Sequence, residues 1–356
     1  MAFPFAQRFA EVEASVYRCW DRDDEDHLAG AATRALEECR ELLAIDPAEC
    51  LQWALDSGVA LPEQSWSFDF GQPAITVVRN ADFRIDLLYW VENATAAHDH
   101  ITCGAFSAIL GDRLHGRYSF VGQQRLGPWI ETGQLSKLEF EVMRQGDARP
   151  LRPELIHDVF WLSKPSVTLV VRCADHPVTA PKKPRSFWAP GLALVPKSQH
   201  DTSLVHRRAE GLSLMRMANQ ALYEDALRRT FEGDDPCLAY YAFTAAAVTA
   251  PEALDDALNS LGNPNAVIPH LVEARPQIVR RSHLGGLYTG DDESRLLVGL
   301  LWAEADVQAC SDTIAAVFPN EAVGTVVDAA VSALEEVDPD TARETRALFQ
   351  PAPTAP

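Results

Sequence analysis

The chain has 356 residues, 47% of them hydrophobic, and a formal net charge of -20. This length is enough for two domains with a sizeable core. The negative charge argues against nucleic acid and anionic membrane surfaces as partners, because both require a basic protein face. No signal peptide or membrane-spanning run is recognisable, so we expect a cytoplasmic protein whose partners are small molecules or other proteins.

Residues 1–63 have the apolar periodicity of helices. Phe9, Val12, Val16 and Trp20 recur every three or four residues, which places them on one helical face. We therefore expect an N-terminal helical segment that packs against whatever follows it.

Residues 64–200 change to short β-type runs separated by Gly, Pro and polar turns. The predicted strands are 74–78, 83–90, 104–110, 114–120, 136–143 and 159–172. Many short strands with turns at intervals of about ten residues predict a β-sandwich or a jelly-roll barrel. A proline-dense segment, 177–190, is interpreted as a linker or a strap across that barrel.

Helical periodicity returns in residues 201–350, where about six helices are expected, and the Pro-rich tail 351–356 is predicted to be disordered. Met215, Met217 and Trp302 are assigned to core packing rather than to a cavity. The predicted fold class is therefore α+β, a β-barrel between N-terminal helices and a C-terminal α-helical domain. That acidic helical half could also hold a homodimer contact or bind a protein partner.

The sequence His98-Asp99-His100 is the main candidate for chemistry. On a β-strand the side chains alternate, so both imidazoles would leave the same face while Asp99 points away, in a structural or supporting role. His157 is a candidate third nitrogen donor. Three neutral imidazoles would leave open coordination positions on a metal, as catalysis requires. The alternative, a pair of partly exposed histidines without a metal, is less favoured.

Two sequence motifs support this interpretation. The first runs from the His98 and His100 pair to Gly111, with Gly104 at a position that is often Glu in such motifs. The second has Gly146, Asp147, Pro153 and His157, with Leu155 where Gly is usual.

Over about residues 70–175 this pattern resembles the cupin superfamily, and within it the three-histidine, cysteine dioxygenase-like thiol dioxygenases. The resemblance implies a double-stranded β-helix (jelly-roll) barrel in which His98, His100 and His157 bind iron(II). Zinc, manganese, nickel and copper also accept three histidines. The implied reaction is that of a dioxygenase acting on a small chelating substrate and dioxygen.

Some features depart from that family. Its cross-linked cysteine and tyrosine have no equivalent, because Cys103 stands nearer to His100 and no tyrosine follows His157 before Tyr223. The substrate-anchoring arginine of the family has no counterpart at the expected spacing either. The motif therefore supports the superfamily, whereas cysteine as the substrate is not supported.

Four residues are candidates for substrate binding or catalysis: Arg84, His115, Tyr118 and Arg172. His115 shares a strand face with Arg113 and Arg117, opposite Tyr118. A polar outer face is the favoured interpretation, although an inward face could hold an anionic substrate. Arg84 is expected to form an exposed ion pair with Asp86, and Arg172 is a further anion-binding candidate.

The leading functional hypothesis is thus an iron(II)-dependent dioxygenase. Two alternatives remain open. One is a different three-histidine cupin reaction, such as carbon–carbon cleavage of a diketone or an isomerisation. The other is a ligand-sensing protein without catalysis, whose helical domain docks a partner.

Overall fold

The structure is a computed structural model that describes residues 4–21, 27–56, 58–64, 71–173, 183–196, 204–287 and 291–349. The tail predicted at 351–356 and residues 177–182 of the proline-dense segment lie outside the described residues.

Three helices form the described N-terminal part, as the periodicity predicts. They are α1 Pro4–Cys19, α2 His27–Glu38 and α3 Pro47–Leu55. Helix α3 begins where Asp46 accepts a hydrogen bond from the Ala48 backbone N–H. Phe9 and Val12 pack with Ile85 and Leu87 in one core cluster, so these helices cover one face of a β-sheet.

The described strands form two antiparallel groups. Their bounds are β1 Ala74–Arg79, β2 Phe83–Trp90, β3 Ala94–His98, β4 Gly104–Leu110, β5 Arg113–Gly127, β6 Ile130–Met143, β7 Ala148–Leu151, β8 Ile156–Trp161, β9 Ser166–Cys173, β10 Ser186–Trp188 and β11 Leu192–Leu194. A five-stranded sheet has the order β1-β2-β9-β4-β7, and a closed six-stranded ring has the order β10-β11-β6-β5-β8-β3. This β-barrel core confirms the predicted double-stranded β-helix fold class.

Some strand predictions were wrong in detail. The run predicted as one strand over 159–172 is two strands, β8 and β9, which belong to different groups. The short strands β7, β10 and β11 were not predicted. Strand β10 pairs with β3, and β11 pairs with β6, so the described end of the proline-dense segment closes the ring instead of acting as a linker.

The described C-terminal part has nine helices rather than the six expected. They are α4 Leu204–Ala218, α5 Gln220–Glu232, α6 Pro236–Thr249, α7 Pro251–Asn259, α8 Ile268–Gly286, α9 Asp292–Trp302, α10 Val307–Val317, α11 Val323–Val337 and α12 Pro339–Phe349. None of the described helices is both long and apolar enough to cross a membrane. Trp302 is buried in the core as predicted, but Met217 is 81% exposed, so its assignment to the core was wrong.

The C-terminal helices pack on the outer face of the ring. Leu114 of β5 and Phe160 of β8 belong to the same core cluster as Leu297 and Leu301 of α9. The opposite face of β5 and β8 is turned toward the five-stranded sheet. A cavity lies between the two strand groups, and it contains the candidate site.

Gly104 of β4 provides a test of how closely the strands are packed. A Cβ atom at this position would lie 1.9 Å from the backbone oxygen of Val171 on β9. We expect Gly104→Ala to lower the free energy of unfolding by about 2 to 4 kcal/mol, because the strands must separate. Urea denaturation monitored by circular dichroism measures this.

The matched control is Gly324→Ala in α11, where a Cβ atom meets nothing within 4 Å. Alanine there should raise stability by at most about 1 kcal/mol. Equal effects of the two substitutions would contradict the strand packing described for Gly104.

Candidate metal centre

Three histidines converge at one end of the cavity. His98 is the last residue of β3, and its register partner on β8 is His157. His100 lies beyond the end of β3, so the prediction of a strand through both histidines was wrong. The backbone after β3 nevertheless places the imidazole of His100 next to the imidazoles of His98 and His157. One nitrogen of each ring lies within 4.8 Å of the others, and the ring centroids are 4.7–4.9 Å apart.

The hydrogen bonds of the rings leave nitrogen lone pairs for a metal. Nδ1 of His98 donates to the backbone oxygen of Ala96 at 2.8 Å, so its Nε2 carries no proton in the neutral ring. Nε2 of His100 and Nε2 of His157 are 2.9 Å apart. This is the distance of an N–H···N hydrogen bond, and two histidine nitrogens in adjacent positions around one metal ion are similarly close.

Burial keeps the three rings neutral. Desolvation holds the pKa of His100 and that of His157 well below the ordinary value, and the neighbouring His98 lowers both further. Burial also lowers the pKa of His98. A neutral imidazole is the form that binds a metal, so the cluster is ready to coordinate a cation at neutral pH without first losing protons.

A chain of side chains behind His157 orients its ring. Nδ1 of His157 is 2.9 Å from Nε2 of His115, and Nδ1 of His115 is 3.0 Å from Oε1 of Glu141. Arg149 donates to the same carboxylate at 2.6 and 2.9 Å. Because the carboxylate accepts from Nδ1, a neutral His115 accepts at Nε2 from Nδ1 of His157. The lone pair on Nε2 of His157 is then directed to the cluster.

His115 therefore does not lie on the outer face that the sequence favoured. It is 1% exposed, it contacts His157, and Arg113 beside it is equally buried. The expectation of a polar outer face was wrong for both residues. Arg117 is the register partner of His157 and so belongs to the same strand face, but it is partly exposed and forms an ion pair with Glu139 at 3.0 Å.

Glu141 and Arg149 were missed from the sequence. Glu141 is the register partner of His115 across the β5–β6 hairpin. The hairpin is long and contains three register shifts, so simple counting from a turn does not pair these two residues. The only sequence signal for this contact was that Glu141 is an acidic residue on the predicted strand that follows the strand of His115.

The cavity has a volume of about 410 Å³, within the range of small-molecule sites. It is lined by the three histidines, by the aromatic side chains Trp90, Phe106 and Trp161, by aliphatic residues, and by the arginines Arg84, Arg113, Arg172 and Arg185. An apolar chamber with several guanidinium groups favours an apolar molecule that carries negative charge.

Arg84 and Arg172 lie on adjacent strands and share Asp86. Nε of Arg172 donates to Oδ2 of Asp86 at 2.7 Å, and Nε of Arg84 lies 3.2 Å from the same oxygen. Asp86 is only 3% exposed, so the exposed ion pair expected for Arg84 was wrong. Both guanidinium groups therefore share this carboxylate. Burial lowers the pKa of Arg172 to about 10, but the side chain stays protonated at neutral pH.

Tyr118 faces away from the cavity. Its hydroxyl donates to Oδ2 of Asp158 at 2.7 Å and accepts from Arg281 of α8 at 3.3 Å. Asp158 follows His157 on β8, so alternation along the strand sends it to the outer face. Arg281 and Asp158 form a buried ion pair at 3.0 Å that joins the helices to the barrel. Tyr118 belongs to that contact and not to the histidine cluster.

Asp99 has the structural role that the sequence predicted. Its carboxylate accepts from Nε of Arg185 at 2.8 Å, and the Arg185 backbone N–H donates to it as well. Arg185 immediately precedes β10. The ion pair thus ties the segment between His98 and His100 to the strand that closes the ring.

No protein-family model and no curated protein sequence matches this chain. Among solved structures, a hydroquinone 1,2-dioxygenase from Sphingomonas sp. TTNP3 is similar at 12% identity and a TM-score of 0.23, over 30% of this chain and 68% of that one. A DMSP lyase structure is similar at 13% identity and a TM-score of 0.29, over 51% and 96%.

A third similar structure is an uncharacterised Klebsiella pneumoniae protein with a double-stranded β-helix domain. Its identity is 12% and its TM-score 0.22, over 38% of this chain and 99% of that one.

The hydrogen bonds from His115 and Arg149 lower the pKa of Glu141 from 4.5 to about 2. Since the folded-state pKa lies below the ordinary value, the stabilisation by Glu141 is complete above about pH 4.5 and is lost as the pH falls toward 2. We expect Glu141→Gln to destabilise the protein at pH 6, with a difference from the native protein that shrinks below pH 4.5. Urea denaturation across this pH range measures it.

Glu139→Gln is the control, because Glu139 lies on the same strand in a largely exposed ion pair. It should change stability by less than about 1 kcal/mol at any pH. If Glu141→Gln and the native protein lost stability in parallel below pH 4.5, the hydrogen-bonded chain would not stabilise the fold.

Proposed function

We propose that this protein is a metal-dependent oxidoreductase in which His98, His100 and His157 hold a divalent metal, iron(II), and a small chelating anion reacts with dioxygen. The observation that carries the proposal is the convergence of three neutral imidazoles in a buried cavity. No described carboxylate joins this group, which fits a metal that keeps its double positive charge and its affinity for anions.

The protein side chains have separable roles in this reaction. The Ala96 carbonyl fixes the ring of His98, and the chain from His115 to Arg149 fixes the ring of His157. A bound iron(II) ion would supply coordination positions for substrate and dioxygen and the redox chemistry that joins them. Arg172 and Arg84 would attract the acidic group of the substrate toward the histidines. The apolar walls would exclude water from the reacting atoms.

The cysteine dioxygenase-like reaction is a less suitable form of this proposal. Cys103 packs in the core cluster of the N-terminal helices, and its backbone N–H donates to Sγ of Cys173. That position does not support a cysteine–tyrosine cross-link beside the histidines. The aromatic walls of the cavity favour a larger substrate than cysteine, so oxidative cleavage of a carbon–carbon bond next to a chelating oxygen is the second candidate.

The metal assignment is tested with protein purified without chelators. We expect about one metal ion per chain, and loss of that ion in His98→Ala, His100→Ala and His157→Ala. His270→Ala is the control, since His270 of α8 is outside the described cluster and should retain the metal. Plasma emission spectroscopy measures the content. Unchanged metal content in all three cluster variants would contradict the assignment.

The reaction is tested by oxygen uptake with the iron-loaded protein. A panel of thiols, β-diketones and aromatic acids separates the two candidates. Uptake that requires a diketone or an aromatic acid, and that disappears in His157→Ala, is the expected result. If no compound stimulated uptake above that of the variant, a ligand-sensing role without catalysis would replace the proposal.

A further inference from the structure

The end of the cavity remote from the histidine cluster has its own polar groups. Arg113 of β5 and Trp161 of β8 are register partners on adjacent strands, and both line the cavity. Arg113 is 1% exposed and Trp161 is 2% exposed. We call this pair, with its surroundings, the closed end.

The hydrogen bonds at the closed end are incomplete. The Nη atoms of Arg113 donate to Oγ1 of Thr168 at 2.6 Å, to Oγ of Ser166 at 3.2 Å and to the backbone oxygen of Val167 at 3.3 Å. All of these acceptors are uncharged. Within the described residues, neither Nε of Arg113 nor Nε1 of Trp161 has a hydrogen-bond partner. Buried donors without acceptors are costly, so an incoming acceptor would satisfy them. Both nitrogens are covered by protein atoms, so a ligand oxygen reaches them only when the side chains around them shift.

The charge at the closed end is also unbalanced. No carboxylate of the described residues lies within ion-pair distance of Arg113, whereas Arg84, Arg172 and Arg185 each have at least one. A buried guanidinium without an acidic partner is unusual, because burial penalises an uncompensated charge. Its bonds to Thr168 and Ser166 hold β5 against β9, but they do not supply the missing negative charge.

The two ends of the cavity are well separated. His157 and Trp161 lie four residues apart on the same face of β8, a Cα separation of about 13 Å. The walls between them are apolar, with Val159 on β8 and Phe106 on β4. The Trp161 ring stacks on Trp90 with a centroid distance of 4.4 Å. Flat aromatic and aliphatic surfaces between two cationic ends suit a flat, elongated molecule.

We propose that the substrate is an elongated dianion with a flat apolar body: one acidic group binds at the histidines, and a second, a carboxylate, binds to Arg113 and Trp161 at the closed end. The first contact rests on the proposed function, and the second stands on the closed end itself. A carboxylate there accepts hydrogen bonds from the guanidinium and the indole and balances the buried charge. The closed end thus selects aromatic diacids over monoacids.

The test compares ligands that differ only in the distal group. Isothermal titration of the full-length, metal-loaded protein is done with benzene-1,4-dicarboxylate against 4-methylbenzoate, and with the matched biphenyl pair to allow for cavity length. We expect the diacid of at least one pair to bind about tenfold more tightly or better, as hydrogen bonds to a charged group allow. Equal binding within both pairs would overturn the proposal.

Variants show whether the preference comes from the closed end. Arg113→Met should abolish the diacid preference, and Trp161→Phe should reduce it about threefold to tenfold by removing one donor. Trp188→Phe is the matched control, because Trp188 does not line the cavity and its Nε1 donates to the Tyr240 hydroxyl, so its loss should leave the preference unchanged. A preference that survives both Arg113→Met and Trp161→Phe would contradict the assignment. If Arg113→Met does not fold, the comparison of Trp161→Phe with Trp188→Phe decides.

Repeating the titrations after chelator treatment and in His157→Ala distinguishes failure of the metal proposal from failure of the closed-end proposal. The diacid preference should persist there, with weaker binding of both members of each pair. If His157→Ala left metal content unchanged but the preference still depended on Arg113, the metal assignment would fail and the closed-end site would stand.

Discussion

The pairing of β3 with β8 is the constraint on which the candidate site depends. It sets His98 directly opposite His157, and the next two strands of the ring supply the residues that orient the His157 ring. Strand β5 beside β8 brings His115, and β6 beside β5 brings Glu141. A displacement of any strand by one residue would turn its polar side chain to the outer face, because side chains alternate along a strand. The strand register therefore determines the geometry of the histidine cluster.

Strand β8 carries polar residues on both faces, and the fold compensates for each of them. His157 faces the cavity, whereas the neighbouring Asp158 is buried under the C-terminal helices and pairs with Arg281. A buried carboxylate is tolerated only with a charged partner and further hydrogen bonds, and Tyr118 provides one of these. The helices are thus a covering that this strand requires, since without them Asp158 and the apolar side chain of Phe160 would face water.

Much of the fold could be predicted from local patterns. Gly111 and Gly146 do have the positive φ values, 79° and 89°, that the turns of the two motifs need, and the spacing of the three histidines correctly predicted that they form one cluster. The face of His115 could not be predicted, because alternation defines two faces without saying which is inside. The contact with Glu141 depends on irregular register, and the role of Arg113 depends on which acids are absent nearby, which only the folded chain reveals.

Gly104 has a consequence for how this donor set could change over time. Where similar motifs often have glutamate, the backbone of β4 runs so close to β9 that even a methyl group would overlap a carbonyl oxygen. A fourth, oxygen ligand therefore cannot be acquired by a single substitution at this position, because the neighbouring strand would have to move first. The close approach of β4 and β9 thus limits the donor set at this end of the cavity to the three histidine nitrogens.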